Sequence, residues 1–220
     1  MSAPREPRIG VEQQGDWLVA RFWQPHRVAS WAIVGGGITR TTTVAWHRVR
    51  NDDLTLDVDP RALLRARLCE MGFADAVGML TSANLTRFEQ ESVRDGDVGA
   101  HAVVTVGLSN ARRVGDPASP FATGTINLLV AVSTPLRDEA LLEAMSIAAE
   151  ARTVAVLERG MPSPVSSLPA SGTGTDCVVI AAPEGDGHAY AGKHTRVGSA
   201  LGAAVYAATK RGVEAWRCSR

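Results

Sequence analysis

Three short, nearly continuous apolar runs constrain the fold of this chain more than any other feature. They span His101–Leu108 (HAVVTVGL), Ile126–Val132 (INLLVAV) and Asp176–Ala182 (DCVVIAA). Runs of this length without polar alternation are typical of strands that are buried on both faces, because side chains on both sides of the strand must then be apolar. Such strands need a covering layer on each face of their sheet.

Helix signals lie before, between and after these runs. Asp59 is a predicted N-cap, Pro60 occupies the first helical position, and this helix ends near Met71, before Gly72. Thr134 and Pro135 predict the start of a longer helix that reaches about residue 159. Its predicted buried stripe is Leu141, Met145, Ala148 and Ala155, and a last helix is predicted over His194–Lys210.

The first half of the chain is typical of hairpins. Residues 16–22, 28–34 and 42–48 are rich in β-branched and aromatic residues and are separated by Pro25 and by Gly35–Gly37, and residues 76–81 predict a further strand. The later order of strand, helix, strand favours a parallel pair. We therefore predict an α/β fold: a single layered domain over residues 1–220 whose mixed β-sheet has parallel central strands and flanking helices, with residues 1–15 loosely ordered.

Composition and charge exclude several classes of protein. Twenty-three Lys and Arg residues balance 23 Asp and Glu residues, so the chain lacks the positive field that attracts nucleic acid or anionic lipid. No apolar run approaches the roughly 20 residues of a membrane helix, and the first residues do not resemble a secretory signal. Cys69, Cys177 and Cys218 form no metal-binding or disulfide pattern. The sequence thus predicts a soluble, cytoplasmic protein with reduced thiols.

Common cofactor and metal motifs are absent from the sequence. Gly35–Gly37 follow a predicted strand, but Arg40 occupies the position where a dinucleotide-binding loop needs its third glycine. No phosphate-binding P-loop, nucleophile elbow or zinc-binding HExxH helix occurs. The acidic residues from Asp52 to Asp59 lack the glycine and the final Glu of a calcium loop, and the five histidines lack ligand spacing. We therefore expect no cofactor and no protein-bound metal.

Polar and glycine-rich segments remain at the ends of the apolar strands, where α/β proteins often bind ligands. They are Gly107–Arg113 (GLSNARR), Gly124–Asn127 (GTIN), Gly172–Asp176 (GTGTD) and Gly192–Thr195 (GKHT), with Glu150–Thr153 (EART) on the long helix. In this order and at these separations, and together with Thr81-Ser82, they resemble the adenosylcobinamide amidohydrolase family, the CbiZ-type enzymes of corrinoid salvage. The resemblance runs from about Val28 to Ala208, and Lys193 is a departure from the family pattern.

The resemblance implies hydrolysis of the amide that joins the aminopropanol arm to the corrin ring of adenosylcobinamide. The products would be adenosylcobyric acid and aminopropanol, and the cobalt would belong to the substrate. Amide hydrolysis requires a nucleophile, donors for the oxyanion and an acid for the departing amine. The implied partner is a small-molecule corrinoid, with no nucleic acid and no membrane, and a homo-oligomer is left open.

Three side chains are candidates for the acid–base chemistry. Asp176 follows a Gly-Thr-Gly-Thr run whose backbone amides would form an oxyanion hole. It is the preferred general base, unless it only caps a turn of this glycine-rich loop. His194 precedes the last helix, where it is either catalytic or a helix-start residue without a ligand. Glu150 shares a helical side with Ile147 and Val154, so we expect a partly desolvated carboxylate, unless it is a structural acid paired with Arg152.

The candidates for substrate binding come from the same segments. Asn110 and Asn127 are candidates for contacts with corrin side-chain amides, and Arg112 and Arg113 for contacts with a phosphate or an aromatic face. The remaining candidates are Thr125, Gly172, Thr173, Gly174, Thr175 and Thr195. We expect the two glycines of the GTGTD loop to adopt backbone angles or ligand distances that a Cβ would not tolerate.

Two alternatives stay open at this point. Thr125, Thr173 or Thr175 would serve as a covalent nucleophile in place of an activated water, although the sequence identifies no base beside them. A non-catalytic corrinoid-binding or regulatory module would retain the pocket without the reaction.

Overall fold

The computed structural model describes residues 6–55, 57–118 and 123–219. Over these residues the strands are β1 (Ile9–Gln14), β2 (Trp17–Ser30), β3 (Gly37–Arg48), β4 (Val77–Thr81), β5 (Glu89–Asp95), β6 (Val98–Val106), β7 (Ala111–Arg112), β8 (Ile126–Val132), β9 (Gly172–Thr173) and β10 (Cys177–Pro183). The helices are α1 (Pro60–Glu70), α2 (Asp138–Leu157) and α3 (Arg196–Cys218).

Eight of these strands form one mixed sheet. Its order is β4-β3-β2-β10-β8-β6-β5, with β1 paired to β2, and β7 pairs with β9 in a separate ladder. The central strands β8 and β10 are parallel and are connected through α2, as the order of strand, helix, strand predicts. The β3/β4 pair is also parallel, whereas the other pairs of the sheet are antiparallel. The predicted mixed α/β fold is confirmed.

The central strands are apolar throughout because each of their faces packs against a different layer. Leu128 and Val130 of β8 pack with α2 and α3, whereas Leu129 and Ala131 pack with β2, β3 and β4 on the other face. The sheet curves enough to bring β4 back onto β8, since Asn127 Nδ2 donates a hydrogen bond to the Leu80 carbonyl at 2.8 Å. This curvature places the end of β4 beside the beginning of β8.

The start and end of α1 agree with the prediction from the sequence. It begins at Pro60, and the Asp59 side chain accepts a hydrogen bond from the Arg61 backbone N–H. Gly72 has a φ of +74°, the left-handed conformation in which glycine commonly ends a helix.

The helix α2 begins later than predicted. Thr134 and Pro135 precede it, and its first residue is Asp138. The reason is tertiary: the His188 N–H donates to the Pro135 carbonyl at 3.0 Å, and the Arg137 N–H donates to the His188 carbonyl at 3.0 Å. The backbone before Asp138 is therefore held extended.

The last helix, α3, begins two residues later than predicted and continues to Cys218.

The strands of the first half also differ from the prediction. Pro25 does not separate two strands, because β2 continues through an irregularity between Arg21 and His26. The strand β5 is absent from the sequence prediction, since its polar residues alternate at an edge of the sheet. The expectation of a loosely ordered N-terminus is wrong for Ile9–Gln14, which pair with β2. Residues 1–5 of that segment lie outside the described residues.

Candidate active site

Three of the polar segments meet at the same end of the central strands. GLSNARR follows β6, GTIN leads into β8 and GTGTD leads into β10. The pairing of these strands places the end of β6 beside the starts of β8 and β10. The β7–β9 ladder joins two of the segments directly, with Ala111 opposite Thr173 and Arg112 opposite Gly172. The structure therefore clusters residues that are about 60 positions apart in the chain.

Asp176 forms a buried ion pair with Arg152 of α2. The side chains are only 8% and 13% exposed, respectively. The Asp176 carboxylate also accepts hydrogen bonds from the Ile126 N–H at 3.1 Å, the Thr173 N–H at 3.0 Å and the Thr173 hydroxyl. Burial lowers the pKa of Arg152 to about 10, which leaves the guanidinium charged at neutral pH. Asp176 is thus held by four protein groups, and Arg152 pairs with it and not with Glu150.

The GTGTD loop does not provide the expected set of free backbone donors. The Thr173 N–H donates to the Asp176 carboxylate, and the Gly174 N–H donates to the Asn110 carbonyl at 3.1 Å. The expectation that these amides form an oxyanion hole is therefore wrong for both residues.

The two glycines of this loop make close contacts that a side chain would prevent. A Cβ on Gly172 would overlap the Asp176 carboxylate and lie 2.6 Å from Arg152 Nη1. A Cβ on Gly174 would lie 2.8 Å from Asn110 Nδ2. The expectation of an unusual backbone angle is wrong, because neither glycine has a positive φ; packing against neighbouring side chains is what excludes a Cβ, and the expectation about ligand distances stays a prediction.

Hydroxyl and amide side chains connect β8 to the neighbouring segments. The Thr125 hydroxyl lies 2.8 Å from both the Thr175 carbonyl and Asn127 Oδ1, and the Thr175 hydroxyl donates to the Gly124 carbonyl at 3.2 Å. Together with the bond from Asn127 to Leu80, these contacts fix the starts of β8 and β10 against the end of β4.

A pocket of about 290 Å³ opens beside this network. Among its polar lining residues, Thr125 and Asn127 are buried and form its floor, Asp176 is partly buried and Thr175 is exposed; most of the pocket surface is apolar. The remaining lining residues are Trp31, Ile33, Val49, Leu54, Pro60, Met79, Leu80, Thr81, Ser82, Thr123, Gly124 and Cys177. Within the described part of the chain, the hydroxyls of Ser82 and Thr123 form no hydrogen bond, so they are free to bind a ligand.

The other predicted binding residues support this pocket without lining it. Asn110 is buried behind the GTGTD loop, and Arg112 belongs to the β7–β9 ladder. Arg113 Nη1 donates to the Pro169 carbonyl at 2.8 Å. Gly172, Thr173 and Gly174 pack around Asp176 and Asn110 as described above.

His194 and Thr195 lie near the opposite ends of the central strands, away from the pocket. Thr195 caps α3 through a hydrogen bond from the Gly198 N–H, and the next residue, Arg196, pairs with Asp97 at 2.7 Å. Asp97 precedes β6, whose nine residues end at the pocket edge. At about 3.3 Å per residue, the first and last residues of β6 are roughly 26 Å apart. The structure therefore does not bring His194 and Asp176 into one site.

Glu150 also lies outside the pocket. Its side chain is 54% exposed, and Lys193 Nζ pairs with its carboxylate at 2.5 Å. The expected desolvation of the Glu150 carboxylate does not occur, because this side of α2 is exposed, as Val154 shows. The three predicted catalytic side chains are thus distributed over separate places, and Asp176 alone lines the pocket.

Sequence reasoning missed several of the described lining residues, including Ser82, Thr123, Trp31 and Leu54. Trp31 follows β2, and its indole Nε1–H donates to the Asp176 carbonyl at 2.6 Å. Leu54 lies in an acidic segment that the sequence indicates only as a solvated loop. The one available signal was the position of Trp31, at the end of an apolar strand and just before Gly35–Gly37.

Cys177 lies in the wall of the pocket, but its thiol is unreactive in the folded state. Burial raises the pKa of Cys177 to about 12, so a negligible fraction is thiolate at neutral pH. Cys69 and Cys218 are exposed. We expect alkylation of the native protein, followed by mass spectrometry, to modify these two and to modify Cys177 only after unfolding. Rapid native labelling of Cys177 would contradict its burial.

Neither a metal site nor a membrane span is visible in the described residues. Within residues 6–55, 57–118 and 123–219, no group of three or more His, Cys, Asp or Glu side chains is arranged to hold a metal ion. None of the helices in those ranges has both the length and the apolar character needed to cross a membrane. A reaction without a protein-bound metal remains a prediction.

The fold and the pocket define a layered α/β protein whose pocket combines apolar side chains with hydroxyl, amide and carboxylate groups. The family model for adenosylcobinamide amidohydrolases matches residues 2–220, and the chain belongs to this family. The chain is 33% identical over 202 residues to the adenosylcobinamide amidohydrolase of Halobacterium salinarum, covering 84% of this chain and 80% of that protein.

Two other proteins show more limited similarity. An uncharacterised protein of Methanocaldococcus jannaschii, MJ1613, is 36% identical over 83 residues, which cover 37% of this chain and 32% of that protein. The crystal structure of the PH0078 protein from Pyrococcus horikoshii aligns with a TM-score of 0.45 at 12% identity, over 96% of this chain and 80% of that one. A likeness of this size carries no conclusion about function.

Proposed function

We propose that this protein hydrolyses the amide between the aminopropanol arm and the corrin ring of adenosylcobinamide, and that the reaction occurs in the pocket at the start of β8 and β10. Membership of the amidohydrolase family supports the reaction class. The observation that carries the location is the convergence of the GLSNARR, GTIN and GTGTD segments, since Thr125, Asn127, Thr175 and Asp176 then line one pocket.

The proposed reaction consumes one water molecule. Its oxygen adds to the amide carbonyl carbon, the carbon–nitrogen bond breaks, and the departing nitrogen takes up a proton. The products are adenosylcobyric acid and aminopropanol. The enzyme must therefore position the water, stabilise the oxyanion and deliver the proton to the amine.

The contacts of the lining residues indicate which of them are available for each of these tasks. The free hydroxyls of Ser82 and Thr123 are our candidates for donors to the substrate carbonyl. Asp176 is the single carboxylate among the described lining residues, but Arg152 and three hydrogen-bond donors already stabilise its charged form. We therefore assign Asp176 first to the organisation of the GTGTD loop, and its role as a proton acceptor becomes a question for mutagenesis.

Attack by a side-chain hydroxyl remains the alternative to attack by water. Thr173 has a carboxylate neighbour in Asp176, but Thr173 does not line the pocket. Thr125 and Thr175 line the pocket, but their hydroxyls bond to backbone carbonyls and to Asn127. None of the three combines access with an adjacent base, which favours water. An acyl-enzyme trapped at Thr125, Thr175 or Ser82 would reverse this assignment.

The decisive experiment is incubation of the purified protein with adenosylcobinamide, followed by chromatography. We expect adenosylcobyric acid and aminopropanol in equal amounts, and the same rate after dialysis against a chelator. Binding of the corrinoid without turnover would contradict the proposed reaction and indicate a binding module instead. Loss of turnover on chelation, with recovery on adding zinc, would require the water-activation scheme to be rebuilt around a metal ion.

A further inference from the structure

Among the described residues that line the pocket, Trp31 is the large apolar side chain most exposed to solvent, and it therefore marks the rim. It lines the pocket together with Ile33 and Leu54, and 48% of its surface is exposed. A large aromatic side chain that is half exposed beside an apolar cavity offers a flat surface to a ligand that enters from solvent. Burial of this surface by a ligand would be favourable.

The orientation of this indole ring is fixed before any ligand binds. Its Nε1–H donates to the Asp176 carbonyl at 2.6 Å, and Asp176 is itself held by Arg152, by Ile126 of β8 and by Thr173 of β9. The ring therefore loses little rotational freedom when a ligand stacks on it, which removes part of the entropic cost of binding. The same bond keeps the ring at a fixed position relative to the polar floor.

The size of the pocket determines which part of the proposed substrate can enter. A volume of about 290 Å³ accommodates the aminopropanol arm and its amide. A corrin macrocycle with its peripheral amide arms is much larger than a cavity at the lower end of the usual range for small-molecule sites. When the scissile amide reaches Thr125 and Asn127, the macrocycle must remain outside, at the rim where Trp31 lies.

We propose that Trp31 is a substrate-positioning residue that stacks against the corrin macrocycle and holds it at the mouth of the pocket while the aminopropanol arm extends to the polar floor. This inference rests on the proposed function. The adenine of the adenosyl group has a flat π surface as well, but the macrocycle is the part directly attached to the arm, so it lies nearest the rim when the arm is inside.

The experiment compares three variants with the wild-type protein. Trp31→Ala removes the ring, and Trp31→Phe keeps a flat ring but loses the N–H donor. Trp23→Ala is the matched control, because Trp23 is 81% exposed, lies in the irregular segment of β2 and does not line the pocket. Binding is measured by equilibrium dialysis, and KM and kcat by product chromatography. The ligands are adenosylcobinamide and a cobinamide that carries hydroxide in place of the adenosyl group.

We expect Trp31→Ala to raise Kd and KM by roughly 5- to 150-fold for adenosylcobinamide, the range typical of a lost stacking contact. The value of kcat stays within about twofold, because the reacting groups lie on β8 and β10. Trp31→Phe recovers most of the affinity, and Trp23→Ala behaves as the wild type. The increase in Kd is the same for both corrinoids, since both contain the macrocycle.

Each other outcome overturns a distinct part of this inference. A Trp31→Ala variant that binds as tightly as Trp23→Ala shows that the ring does not contact the substrate. A Trp31→Phe variant that is as poor as Trp31→Ala, with a reduced kcat, shows that Trp31 acts through its bond to Asp176. A loss confined to the adenosyl form assigns the contact to adenine. A wild-type protein that binds neither corrinoid refutes the proposed function itself.

Discussion

Replacement of Asp176 by Asn is expected to destabilise the protein as well as to slow the proposed reaction. The variant leaves the Arg152 guanidinium buried without its partner, and loss of one member of a buried ion pair typically costs about 3–5 kcal/mol. The amide also loses one of the two oxygens that accept hydrogen bonds from Ile126 and Thr173. Urea denaturation should show the lower free energy of unfolding, and turnover of adenosylcobinamide should fall by about 10²-fold or more.

A double variant separates the two roles of Asp176. Arg152→Met combined with Asp176→Asn removes both charges, so we expect it to recover much of the lost stability. If Asp176 only organises the loop, turnover recovers with stability; if Asp176 accepts the proton, the double variant is stable and inactive. A single Asp176→Asn variant as stable as the wild type would contradict the structural role of the ion pair.

Replacement of Gly172 by Val is expected to disrupt the ion pair between Asp176 and Arg152 by steric overlap. Any Cβ at this position overlaps the Asp176 carboxylate and lies 2.6 Å from Arg152 Nη1, so the two charged groups must separate to make room. We expect the melting temperature to fall by an amount equivalent to about 1–3 kcal/mol, together with the loss of most of the activity. Differential scanning calorimetry and the product assay measure the two effects.

Two other glycines provide the controls for this variant. Gly10→Val places its side chain in open space, with no atom within 4 Å of the new Cβ, and should leave melting temperature and turnover near the wild-type values. Gly174→Val contacts the Asn110 side chain rather than the ion pair, so its effect on stability should be smaller. Equal effects at Gly172 and Gly174 would indicate general crowding of the loop and contradict the specific role of the ion pair.

The elements that sequence reasoning predicted are those specified by adjacent residues. Asp59 and Pro60 specify the start of α1 locally, and the apolar runs identify β8 and β10 because only a strand buried on both faces requires them. The start of α2 was misplaced because a distant residue, His188, pairs with the backbone around Pro135. The strand β5 was missed because its polar alternation resembles an exposed loop until β6 pairs with it.

The candidate site also contains features that adjacent residues specify and features that depend on distant residues. Thr125, Asn127 and Thr175 were predicted because they adjoin the apolar runs that form the central strands. The pairing of Arg152 with Asp176 joins a helix to a loop across 24 residues and leaves no local signal. The separation of His194 from Asp176 was available from the topology, since one precedes β10 and the other follows it, so the length of that strand lies between them.

The curvature that returns β4 to β8 divides the pocket between two parts of the chain. Trp31, Ile33, Leu54 and the end of β4 come from the first half, whereas Thr125, Asn127, Thr175 and Asp176 come from the second half. Two side chains connect the two parts: the Asn127 amide donates to the Leu80 carbonyl, and the Trp31 indole donates to the Asp176 carbonyl. On the proposed function, substitutions among the first-half lining residues other than Trp31 would change which corrinoid fits the pocket while the polar groups of the second half stay in place, so substrate choice and chemistry would diverge independently.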